Sequence, residues 1–123
     1  MGLRGEAAIV GYTELPSVKR PSGPLEFTVE QWARLAAATL ADAGPSLADV
    51  DGVCTSHLQE SQSFVPSTII EYLGLKANFA EMVDLGGASA VAMVWRAAAA
   101  IELGLCNAVL CVVPATPLTP MTE

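Results

Sequence analysis

Short apolar runs alternate with longer stretches of helical periodicity along this chain. That alternation limits the possible folds more than any other feature. Ala7-Ala8-Ile9-Val10-Gly11 reads as a buried strand closed by glycine. Residues 12–27 hold Pro16, Pro21, Gly23 and Pro24 and read as a loop, long for a compact domain. A helix follows, with Thr28 as N-cap and Gln31 completing a capping box. Val29, Trp32, Leu35, Ala36, Leu40 and Ala43 recur at helical spacing on one face, and Gly44-Pro45 ends it. After a turn at residues 46–50, residues 51–56 read as a strand, and residues 57–63 as a polar loop. A short helix is expected at residues 64–73, stopped by Gly74. The strand from Phe79 to Asp84 alternates apolar and polar residues. Residues 88–103 form a long Ala-rich helix with Gly104 at its end. Residues 107–113 are continuously apolar, as in strands buried on both faces, and Pro114, Pro117 and Pro120 stop regular structure. The order βαβαβαβ predicts an α/β fold, with a mainly parallel sheet and helices on both faces. One domain covering residues 1–123 is expected, with no internal repeat.

The formal charge of −7 argues against nucleic acid or an anionic membrane surface as partner, since both select for Lys and Arg. The start of the chain leads into a strand rather than a signal h-region, and no apolar stretch is long enough to cross a bilayer. Cys54, Cys106 and Cys111 have no metal-ligand spacing, and their odd count speaks against a disulfide framework. A cytoplasmic, reducing compartment is expected, with no bound metal and no resident cofactor.

Chemistry concentrates where the strand ending at Asp84-Leu85 turns through Gly86-Gly87-Ala88-Ser89 into a helix. Such a turn directs backbone N–H groups and a positive helix end at whatever lies above it. Gly86, Gly87, Ala88 and Ser89 are therefore candidate substrate-binding residues. The plain alternative is a tight turn before a helix, capped by Ser89. Ser89 lacks a nearby base that would make it a nucleophile. His57 follows the end of a strand, where ligands gather in open α/β sheets, and joins the candidate site; the alternative is a solvated loop histidine. Asp84 reads as a strand-end cap or a group that orients the turn. Cys54, Cys106 and Cys111 read as inert core thiols, because none lies at a helix N-terminus. Glu14, Lys19 and Arg20 sit in the proline-rich loop, either solvated or facing a phosphate or a partner chain.

Three phrases in fixed order resemble the N-terminal half of the thiolase superfamily. They are the opening run to Thr13, the helix end at Leu40-Ala41-Asp42-Ala43-Gly44 followed by Asp49-Val50-Asp51-Gly52-Val53, and the Gly86 to Val91 stretch leading to Gly104. The resemblance is strongest to lipid-transfer-protein-like thiolases, several of which lack the nucleophilic cysteine and act as retro-aldolases on steroid side-chain thioesters. It implies a mixed, mainly parallel sheet and places Gly87 where that family's cysteine stands. It therefore implies no catalytic residue at that position. A glycine closes the covalent route of thiolysis, while oxyanion stabilisation by backbone N–H groups stays open. The implied function is a component of an enzyme acting on acyl-CoA thioesters, cleaving carbon–carbon bonds in the retro-aldol manner. The family's histidine and cysteine motifs from its second half do not occur here, so a second chain is implied: the missing half, or an OB-fold and zinc-ribbon partner. The resemblance also implies a homodimer paired through the strand from Phe79 to Asp84. Two other readings are a non-catalytic scaffold that docks an active partner, and a fragment with no separate function.

Overall fold

A computed structural model of the protein describes residues 4–17, 26–59, 61 and 63–114. Helix α1 spans Thr28–Ala43 and lays its apolar stripe against the sheet, with Trp32, Leu35 and Ala36 buried. It starts one residue earlier than the capping pattern predicts. Phe27 is the N-cap, and the Glu30 carboxylate accepts its backbone N–H at 3.2 Å. Thr28 is thus the first helical residue. Its buried hydroxyl accepts the N–H of Gln59 instead, holding the chain that leaves the central strand. Gly44 ends the helix in the left-handed conformation at φ 100°.

Strand β1 is Gly52–Thr55, helix α2 Val65–Leu73, strand β2 Phe79–Met82, helix α3 Ser89–Glu102 and strand β3 Val109–Val112. The sheet order is β2-β1-β3, all parallel, with Gly52 facing both Phe79 and Val109 in register. The connections β1-α2-β2 and β2-α3-β3 run in opposite directions across the sheet. The right-handed crossover rule then sends their helices to opposite faces. Packing follows that rule. Val53, Leu110 and Val112 pack with Trp32, Leu35, Val65 and Ile69, while Cys54 and Val83 pack with Met93 on the other side. The α/β fold with helices on both faces stands as the sequence predicts.

Two predicted strands differ. Residues 7–11 form no strand: Ile9 and Val10 are 76% and 68% exposed, with no partner strand beside them among the described residues. The segment runs as an arm, held at Arg4 N–H by Glu102 and at Tyr12 N–H by Asp42 (3.0 and 2.9 Å). Gly11 lies so close to α1 that a Cβ there would stand 2.6 Å from that of Ala43. The second difference is β3. It is an edge strand with alternating burial, not a strand covered on both faces; the fully buried strand is the central β1. The described sheet is also wholly parallel rather than mixed.

Candidate functional site

Strand register builds the site. Thr55 of β1 faces Met82 of β2, and the ladder continues one step as Val83 N–H donates to Thr55 O at 2.8 Å. Two residues beyond each of those partners stand His57 and Asp84. Parallel strands in register therefore bring together, at their carboxyl ends, two residues far apart in sequence. His57 Nε2 lies 2.9 Å from Asp84 Oδ2, with side chains 60% and 57% exposed. The hydrogen bond from His57, then that from Gly86 N–H, holds the Asp84 carboxyl below the usual carboxylate range. Carboxyl ends of parallel strands are where open α/β sheets gather ligands.

Asp84 leads directly into the turn. Its other oxygen, Oδ1, accepts a long hydrogen bond from Gly86 N–H at 3.5 Å. Gly86 has φ 58°, a left-handed conformation that favours glycine. Residues Gly86–Ala88 form a single 3₁₀ turn that runs on into α3. Ser89 is buried; its hydroxyl accepts Leu85 N–H at 2.9 Å and donates to Gly86 O at 2.8 Å. Those bonds close the turn from beneath. Ser89 therefore shapes the candidate site without facing it, and it caps none of the α3 N–H groups. Gly87 and Ala88 are exposed, and no atom lies within 4 Å of where a Gly87 Cβ would stand.

The arrangement suits proton transfer. A carboxylate on Nε2 fixes the ring and leaves Nδ1 as the nitrogen available to a second group. His57, Gly86, Gly87 and Ala88 thus share one open corner of the sheet with Asp84, which was legible as a strand-end cap or a group that orients the turn but not as the partner of His57. Among the described residues no group of three His, Cys, Asp or Glu side chains is arranged to hold a metal ion. No described helix is long and apolar enough to cross a membrane. In the proline-rich loop, Glu14 accepts a 2.6 Å hydrogen bond from the Tyr12 hydroxyl, which raises the phenol's pKa. Lys19 and Arg20 lie outside the described residues.

A feature the sequence reading missed is a groove of about 430 Å³ along the free side of β3. It is lined by Tyr12 and Leu15, by Leu35 of α1, by Met93 of α3, and by Cys111 and Val113. Cys111 is therefore exposed rather than a core residue; Cys54 and Cys106 are buried as expected. Burial raises the Cys106 pKa. An unbroken apolar run hides which of its residues face outward, so Cys111 carried no signal. Comparison of the chain with protein-family models, curated proteins and solved structures finds no match.

Proposed function

We propose that this chain is the N-terminal half of a thiolase-like enzyme acting on acyl-CoA thioesters. In this reading it supports retro-aldol carbon–carbon cleavage, as in degradation of a steroid or lipid side chain, rather than cysteine-dependent thiolysis. The observation that carries the reading is the His57–Asp84 pair, 2.9 Å apart, directly before the open Gly86-Gly87 turn. Retro-aldol cleavage takes a proton from a β-hydroxyl and leaves an enolate on the thioester. His57, oriented by Asp84, is the group here able to accept a proton. The turn and the start of α3 offer the positive end that stabilises oxygen as it gains enolate charge. Gly87 leaves room for the acyl group where a side chain would project. The remaining acid and base groups come from a second chain, either the missing half or an OB-fold and zinc-ribbon partner.

The test is acyl-CoA binding by calorimetry, first with this chain and then with the second chain added. Saturable binding that falls about tenfold or more in Gly87→Trp and in His57→Ala is expected. Binding that neither substitution changes would remove the pocket from this corner. A second reading is a non-catalytic module that pairs and docks an active partner; the exposed edge position of β2 favours it. No acyl-CoA binding, together with formation of a stable complex with the second chain, would select it.

A further inference from the structure

Cys54 and Cys111 are register partners on adjacent parallel strands. Partners in register project to the same face, and neighbouring strands lie about 4.8 Å apart. That spacing falls inside the range of about 4.4–6.8 Å between the Cα atoms of disulfides, so the two backbones stand close enough for a link. The two thiols differ in access. Cys54 is fully buried and packs with Met93 of α3, whereas Cys111 is exposed and lines the β3 groove. The Cys111 thiol also points at the carbonyl of Met93, 3.7 Å away. Glu81, on the other side of Cys54 in the same row, is engaged by Arg96 at 2.7 Å.

We propose that Cys54 and Cys111 form a peroxide-responsive dithiol, with Cys111 the thiol that meets the oxidant and Cys54 the thiol that resolves it. The Cys111 thiolate attacks one oxygen of hydrogen peroxide. The O–O bond breaks, and the departing hydroxide takes a proton to become water. This leaves a sulfenic acid on Cys111. The Cys54 sulfur then attacks the Cys111 sulfur, the S–O bond breaks, and the leaving hydroxide takes the Cys54 proton as a second water. Two thiols lose two electrons, and one peroxide becomes two waters. The division of roles also matches the local chemistry. The hydrogen bond from Cys54 lowers the pKa of the Cys111 thiol, while the same bond and burial push that of Cys54 up. The groove admits a small oxidant to Cys111, whereas Cys106 has no such access.

The full chain is titrated with hydrogen peroxide, quenched by alkylation, digested and mapped by mass spectrometry. The expected main product is a peptide linking Cys54 to Cys111 within one chain, with Cys106 still alkylated. Cys111→Ser, at an exposed position, is expected to abolish the link and slow thiol loss about tenfold. In Cys54→Ala, dimedone is expected to trap a sulfenic acid on Cys111; should that variant fail to fold, the wild-type map and Cys111→Ser decide alone. Oxidation of Cys106 as fast as Cys111, overoxidation of Cys111 with no link, or a link only between two copies would overturn the proposal.

Discussion

Asp51 fastens the beginnings of two strands with one carboxylate. Its oxygens accept the N–H of Asn107 at 2.9 and 3.1 Å and of Ala108 at 2.9 Å. Burial pushes its pKa up, but the bonds from Ala108 and Asn107 outweigh it and hold the carboxyl below its usual range. A carboxyl whose folded pKa is depressed contributes stability above its unfolded pKa and loses it as pH falls through the folded value. Asp51→Ala is therefore expected to cost about 1–3 kcal/mol at neutral pH in urea denaturation. The gap from the parent should narrow as the pH drops through that acidic window. A gap that is constant with pH would show that the carboxylate's charge contributes nothing. The two glycines of the candidate site should behave oppositely. Gly86 has positive φ, so Gly86→Ala should destabilise by about 1 kcal/mol. Gly87 has open space and no such φ, so Gly87→Ala should be neutral or stabilise by up to about 1 kcal/mol. Thermal unfolding of the two variants checks both signs.

Among the elements, α1 and β1 are joined by one buried polar bond. Trp32 Nε1 donates to Thr55 Oγ1 at 3.0 Å, and that hydroxyl donates in turn to Ser56 O. Trp32→Phe keeps most of the apolar contact and loses the bond, at about 1–2 kcal/mol by urea denaturation. Trp32→Ala also leaves a cavity, and about 3–5 kcal/mol is expected. Equal losses in the two variants would mean that the bond, not the packing, carries the helix. Trp32 was legible in the sequence because helical spacing and size both mark it as core. So were β1, β2 and all three helices, since glycines and prolines punctuate them. The arm at residues 7–11 misled because an apolar run states only that a segment prefers cover. It does not say whether a strand lies alongside to pair with it. Asp51 was invisible for a similar reason, since its partners lie just before a strand more than fifty residues later. Of the candidate site, the turn was readable from Gly86-Gly87, and His57 from its place after a strand. Their link through Asp84 depends on register between β1 and β2, which no local pattern specifies.

At the scale of the whole molecule, the sheet has three strands and two open sides among the described residues, and the two sides differ. β2 forms one border with Phe79 and Glu81 half-buried and Ala80 and Met82 exposed. If copies pair there, light scattering behind size exclusion should give the mass of two chains. A Pro at position 80 should return it to one, because Pro removes a ladder donor. A monomeric parent chain would remove the pairing proposal. The other border, β3, is flanked instead by the groove that residues 12–15 help to line. The Asp51 clamp has a further consequence, for the order in which the sheet assembles. β3 lies about twice as far along the chain from β1 as β2 does, so closing that loop comes at the greater entropic cost. Asp51 O receives the N–H of Asn78 on the near side, but its carboxylate waits for Asn107 and Ala108 on the far side. The near pairing can nucleate before β3 docks, and the carboxylate then acts as a latch closed after the barrier. In stopped-flow measurements, Asp51→Ala should accordingly raise the unfolding rate while leaving the refolding rate nearly unchanged.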